Sequence, residues 1–327
     1  MTDQERGAYP EPAPATGEFA AEKSIASKFQ AKEEAWRRRG GFIPTKHTIY
    51  QGDARRMSEL GDGPGVHLVV TSPPYWNLKA YPGTAEHGQL GDISDYEPFL
   101  RELQRVWRRC LELLFPGSRL CVVVGDVCLP RRKFGRHFVV PLHSAIIQQC
   151  VGLGFDYLSP IFWYKIANAK TEVAGNGGVF LGKPYEPNAV VKNDVEYVLI
   201  FRKPGGYRHP SEEQRNLSVL SKEDHSRWFR QVWMDVPGQS TTNGHPAPFP
   251  EELAYRLISM FSFVEDIVLD PFCGTATTTR AAIRASRSSI SYEVEPDYIR
   301  LVAERFGQLP LGASVKVVSA PPNNMAE

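Results

Sequence analysis

From residue 47 onward the chain alternates short apolar runs with longer amphipathic stretches, and few architectures can bury such a pattern. The runs HTIYQGD (47–53), HLVVTS (67–72), RLCVVVGD (119–126), LSPIFWY (158–164), VEYVLIF (195–201), DIVLD (266–270) and SSISYE (288–293) read as strands. Strands this apolar, separated by helical segments, imply an α/β fold with a mostly parallel, doubly wound sheet covered on both faces. The clearest helix spans Ser94 to Leu114: Tyr96, Phe99, Leu100, Leu103, Val106, Trp107, Cys110, Leu111 and Leu114 recur at three- and four-residue steps. Ser94 and Glu97 are spaced as a capping box. Further helices are expected over 140–152, 250–262, 275–286 and 296–307.

The rest of the chain lacks this alternation. Residues 1–20, rich in Pro, Ala, Glu and Gly, read as a disordered tail, and 319–327 as a second tail. Residues 21–46 read as a helical arm whose Arg37-Arg38-Arg39 end suits a solvated helix terminus, with a phosphate-contacting arm as the alternative. Within the α/β region, 47–202 make one half and 237–318 the other. Residues 203–236 show no sustained period, and their Arg, Lys, His, Tyr and Trp content suits a target-recognition insertion that contacts phosphates and bases.

Several classes are disfavoured. No apolar run approaches the roughly 18 residues of a membrane span, and the N-terminus lacks the apolar core of a signal peptide, so a cytoplasmic protein with no membrane partner is expected. Cys110, Cys121, Cys128, Cys150 and Cys273 form no C-x-x-C pair, which favours reduced core thiols over disulfides and leaves no metal site to expect. A net charge of +1 excludes a globally basic nucleic-acid binder, so any such contact needs a local patch. Arg131, Arg132, Lys133 and Arg136 after the strand ending at Asp126 are the candidate DNA-binding patch, and a solvated basic turn is the plainer reading of the same residues. Lys165, Lys170, Lys183 and Lys192 are equally ambiguous.

Two strand ends carry chemistry, because open parallel sheets bind ligands beyond the carboxyl ends of their strands. At Thr71-Ser72-Pro73-Pro74-Tyr75-Trp76, two prolines stiffen the chain and leave carbonyls as acceptors, with a hydroxyl before them and aromatic rings after. At Asp270-Pro271-Phe272-Cys273-Gly274-Thr275 a strand enters a small turn and a helix, whose N-terminus offers N–H groups to an anion. Glu293 ends the next strand, where such folds hold a ribose. A strict G-x-G-x-x-G and a G-K-[ST] are both absent.

Together these motifs resemble the DNA amino-methyltransferases that use S-adenosyl-L-methionine (AdoMet), over about residues 47–308. Thr71–Tyr75 is similar to that family's catalytic tetrapeptide, Asp270–Gly274 to its AdoMet motif, and His245-Pro246-Ala247-Pro248-Phe249-Pro250 to the segment before the first cofactor-site helix. Catalytic motif first and AdoMet motif last is the circularly permuted order of the β group. Ala276 replaces a common glycine, and Phe249 a common lysine.

The resemblance implies a Rossmann-like methyltransferase fold acting on double-stranded DNA. It places Ser72 and the Pro73 carbonyl, ahead of Pro74, at the amine hydrogens, and Tyr75 on a base rotated out of the duplex. It assigns Thr71, His245, Phe249, Pro250, Asp270, Phe272, Cys273, Gly274, Thr275 and Glu293 to the cofactor, and Asp53 to its adenine, although Gly52-Asp53 equally suits a turn. A homodimer and a cognate restriction endonuclease are the protein partners it allows. Ser-Pro-Pro-Tyr and Phe249 lean to cytosine N4 over adenine N6. The Pro-Cys and Glu-Asn-Val of cytosine C5 enzymes are absent. A binding protein without turnover is the remaining alternative.

Overall fold

The computed structural model describes residues 16–76, 88–129, 131–165, 193–238, 249–306, 309–310 and 312–318. His245, Lys170, Lys183, Lys192 and both chain ends therefore lie outside the described residues. Among the described residues nine strands form one sheet: β1 (Thr45–Gln51), β2 (Val66–Thr71), β3 (Leu114–Val124), β6 (Asp156–Tyr164), β7 (Val195–Arg202), β8 (Val232–Trp233), β9 (Ile267–Asp270), β10 (Ser288–Glu293) and β11 (Ala313–Val318). A separate hairpin pairs β4 (Val127–Leu129) with β5 (Phe138–Val140). The strand order is β11-β1-β10-β9-β2-β3-β7-β6-β8. β7 runs against β3 and β6, and the other pairings in the sheet are parallel.

Alternate residues of the central strands feed two cores. Val69, Leu120, Val122, Leu199 and Leu269 pack under α2 (Tyr96–Leu113) and α4 (Leu142–Leu153). Leu68, Val70, Cys121, Val123, Val198 and Val268 pack under α7 (Glu251–Phe261) and α8 (Thr277–Arg284). A smaller cluster joins Ile49, Cys273 and Ala276 to Ile299 and Val302 of α9 (Pro296–Arg305). The expected mostly parallel, doubly wound sheet is thus present, and its switch point lies between β9 and β2, where the connections to β10 and β3 leave in opposite directions.

Several local expectations need correction. The α2 helix starts at Tyr96 with Asp95 as N-cap, and no side chain caps it. The Ser94–Glu97 box does not form; Ser94 lies one residue before the N-cap, and its carbonyl accepts from the Trp76 indole N–H at 3.0 Å. Helix α1 (Thr16–Arg38) reaches into the stretch read as tail, and its basic end is tied down, with Arg39 paired to Glu213 and Glu265 at 3.1 Å each.

Residues 203–236 do hold regular structure: α5 (Glu212–Leu217), α6 (Lys222–Trp228) and the edge strand β8. Both α5 and α6 begin on serine N-caps, signals too short to show as periodicity. The segment leaves β7 at the amino ends of the parallel strands: Lys203 bonds Ser118 and Gly117 beside the start of β3's pairing, and Arg208 grips Asp266 beneath β9 at 2.7–2.8 Å. Leu217 packs with Ala35, Ile43 and Val264. Trp228, Trp233 and Val236 are buried in the α7 core.

Candidate active site

The carboxyl ends of β1, β2, β9 and β10 open onto one cleft. Its wall includes Asp53, Ser72, Pro73, Pro74, Tyr75, Phe249, Phe272, Cys273, Gly274, Thr275 and Glu293. Five separate stretches of sequence thus meet at the switch point.

Three predicted residues stand behind this wall. Thr71 and Asp270 are buried, at 0% and 1% exposure, and do not line the cleft. The Thr71 hydroxyl donates to Asp270 Oδ1 at 2.7 Å, and the Phe272 amide donates to the same oxygen at 3.1 Å. Burial raises the Asp270 carboxyl above its ordinary value, partly offset by these donors and by Thr278. Asp270, expected along the cofactor, ties the end of β9 to the end of β2 through its bond with Thr71. Pro250 serves as N-cap of α7, and its neighbour Phe249 reaches the cleft.

The turn after β9 also differs from expectation. Several of its amides are already bonded within the protein: Cys273 to the Tyr292 carbonyl at 2.8 Å, Gly274 to Glu293 Oε2 at 2.7 Å and Ala276 to the Cys273 carbonyl at 2.9 Å. Ala276 is left-handed at φ 63°, a conformation costing an alanine roughly 1–2 kcal/mol, and this explains why glycine is common at its position. Its buried methyl packs in the Ile49 cluster. Trp76 is likewise left-handed at φ 45°, held by its bond to Ser94 directly after Ser72-Pro73-Pro74-Tyr75.

Glu293 is the most perturbed acid facing the cleft. Its oxygens accept from the Gly274 amide at 2.7 Å and the Glu295 amide at 2.9 Å, yet burial dominates and pushes its carboxyl up to about 7. It is thus poised to take hydroxyl donors. Asp53 reaches the cleft and also builds the turn its sequence allowed, with Oδ1 accepting from the Arg55 amide at 2.8 Å and both oxygens held by the Arg55 guanidinium.

The geometry adds residues that sequence reasoning missed. Gly88, Gln89, Leu90, Tyr292 and Tyr298 complete the cleft, and Gln89 donates to Glu295 at 2.6 Å. Tyr75 is 8% exposed, and its hydroxyl reaches Glu196 of β7 at 3.1 Å. The hidden signal for Glu196 is strand direction: because β7 is antiparallel, its amino end lies beside the carboxyl ends of its neighbours.

Arg131, Arg132 and Lys133 occupy α3 (Arg131–Phe134), a short exposed helix between β4 and β5, and Arg136 follows it. This hairpin follows β3, at the same end of the sheet as Ser72. Among the described residues the cysteines are free, no His, Cys, Asp and Glu cluster could hold a metal ion, and no helix is long and apolar enough to cross a membrane.

Residues 66–304 match the family profile of the N6 and N4 DNA methylases. The chain belongs to this DNA methylase family. TTHA0409 of Thermus thermophilus, assigned as a DNA modification methylase and solved in complex with AdoMet, is 48% identical with a TM-score of 0.69, the match covering 84% of this chain and 99% of that one. The type II methyltransferase M.MjaI of Methanocaldococcus jannaschii is 38% identical, over 81% of this chain and 92% of its own. The cytosine-N4-specific PvuII DNA methyltransferase shares the fold at 21% identity and a TM-score of 0.56, over 82% of this chain and 90% of that chain.

Proposed function

We propose that this DNA methylase transfers a methyl group from AdoMet to the exocyclic N4 of a cytosine swung out of double-stranded DNA. The observation that carries the reading is Ser72 lining the cleft, on a Pro-Pro backbone with no N–H at the next two positions. AdoMet supplies an electrophilic methyl on its sulfonium. Glu293 accepts from the ribose hydroxyls, Phe272, Cys273, Gly274, Thr275 and Phe249 flank the methionine portion, and Asp53 stands at the adenine. The AdoMet complex of a 48% identical protein supports this assignment.

The amine of cytosine has its lone pair drawn into the ring. Acceptors on both of its hydrogens favour a pyramidal nitrogen and stabilise the charge that develops on it. Ser72 Oγ and the Pro73 carbonyl supply those two acceptors, both neutral. The Tyr75 ring stacks on the base, and fixed positioning of amine and methyl provides much of the rate. Arg131, Arg132, Lys133 and Arg136 contact phosphates on the same end of the sheet. Residues 203–220 start at the opposite end, which argues against base reading by that part of the proposed recognition segment. The likeness to type II methyltransferases supports a place in a restriction–modification system.

The test is to incubate the protein with AdoMet and DNA of mixed sequence, digest to nucleosides and analyse by mass spectrometry. N4-methylcytosine is the expected product. N6-methyladenine alone would overturn the base assignment while leaving the family intact.

A further inference from the structure

Beside the cleft lies a second cavity that the catalytic tetrapeptide does not explain. Tyr75, Gly125, Asp126, Lys165, Asn193 and Glu196 line it, and Tyr75 is shared with the cleft. The Ser72 hydroxyl donates to the Tyr75 phenol oxygen at 3.4 Å, and the phenol donates to Glu196 Oε2 at 3.1 Å. Lys165 Nζ donates to the other carboxylate oxygen, Oε1, at 2.8 Å. The two oxygens of Glu196 therefore have divided duties: Lys165 fixes one, and the other faces the phenol. Gly125 makes the approach feasible, since a Cβ there would come within 3.2 Å of Glu196 Cγ and 3.3 Å of Tyr75 Cε2. An ion pair serving only to neutralise a carboxylate that is 9% exposed would need Lys165 and no phenol leading back to Ser72.

We propose that Ser72, Tyr75 and Glu196 form a proton relay that removes the proton an amine must lose when it is methylated. This rests on the reading of Ser72 as the acceptor of an amine hydrogen. The nitrogen gains the methyl carbon as the bond from that carbon to sulfur breaks, its electron pair staying on sulfur. The nitrogen then holds one proton too many. That proton passes to Ser72 Oγ, the proton of Ser72 moves to the Tyr75 oxygen, and the proton of Tyr75 moves to Glu196 Oε2. Ser72 and Tyr75 end as they began, and Glu196 ends protonated, facing a cavity from which water can take the proton.

The test uses single-turnover methylation of duplex DNA by the full chain, in H₂O and D₂O, with Y75F, E196Q and the double variant. Y75F keeps the stacking ring and deletes the link; E196Q keeps an acceptor and cannot take the proton. Each single variant should slow methyl transfer by about a hundredfold, the lower end for lost acid–base catalysis, with AdoMet affinity unchanged. The double variant should be no slower than either, because one path is cut twice. The wild-type solvent isotope effect should vanish in all three. Wild-type rates in E196Q and Y75F, or slow variants that retain the isotope effect, would overturn the relay alone. A wild type that methylates no DNA amine would overturn the proposed function and the relay with it.

Discussion

Glu293 should couple AdoMet binding to proton release. Its carboxyl stands near 7 rather than 4.5 because burial disfavours its charge more than the Gly274 and Glu295 amides stabilise it. The folded value is raised, so the stability it contributes is complete below about 4.5 and lost as pH rises through about 7. The ligand-free protein at pH 8 therefore carries a poorly solvated carboxylate. Ribose hydroxyls donate hydrogen bonds, which favour the ionised form. If the bound state is fully ionised, affinity relative to its alkaline limit falls about twofold at pH 7 and roughly tenfold at pH 6, with about 0.5 and 0.9 protons released per ligand bound. Titration calorimetry in two buffers of different ionisation enthalpy, at pH 6, 7 and 8, measures both quantities. Glu293→Gln should bind more weakly and without this pH dependence, and it corrects for titration of the ligand's own amino group. A wild-type affinity that is flat from pH 6 to 8, or equal proton release in the variant, would refute the reasoning.

Three other outcomes are expected. Thr71→Val keeps the shape of the side chain and removes a donor to buried Asp270, so it should cost about 1–3 kcal/mol in denaturant unfolding; an unchanged midpoint would show that the β2–β9 fastening is unimportant. His47, lodged between the Ser289 and Thr45 hydroxyls, is depressed by burial from 6.5 to about 4, so its contribution is present above about 6.5 and lost as pH falls towards 4. Wild type should lose about 3 kcal/mol more than His47→Gln over that window, and parallel pH–stability curves would contradict this. Replacing Arg131, Arg132 and Arg136 together by Ala should flatten the dependence of DNA affinity on salt by about 2–3 in log–log slope while leaving AdoMet binding intact; an unaltered slope would remove these residues from the interface.

How far the sequence could be read depends on the range of the signal. That Ser72–Tyr75 and Phe272–Gly274 line the cleft was legible because each belongs to a short string at the end of one apolar strand. The burial of Asp270 was not legible for the same reason: the string shows a carboxylate near the site, and only its 2.7 Å bond with Thr71, 199 residues away in sequence, shows which way it points. The cap of α2 was misread by one residue: the helix takes Asp95 as its N-cap, and Pro98, with no N–H, could not have donated to the carbonyl of a cap at Ser94. In residues 203–236 two serine caps and a two-residue edge strand are too brief to register as a period.

By itself the sequence determined the mostly parallel α/β architecture, since its apolar runs fit no half-exposed sheet. It also determined the family, through motifs whose order survives without a structure. The tertiary structure alone decided which motif residues face the cleft and which stand behind it, and that Tyr75 is joined to Glu196 and Lys165. The physical reason is strand direction. Reversing β7 carries Glu196 to the end of the sheet that holds the cleft, and that reversal depends on pairing with β3 and β6, which no local pattern encodes.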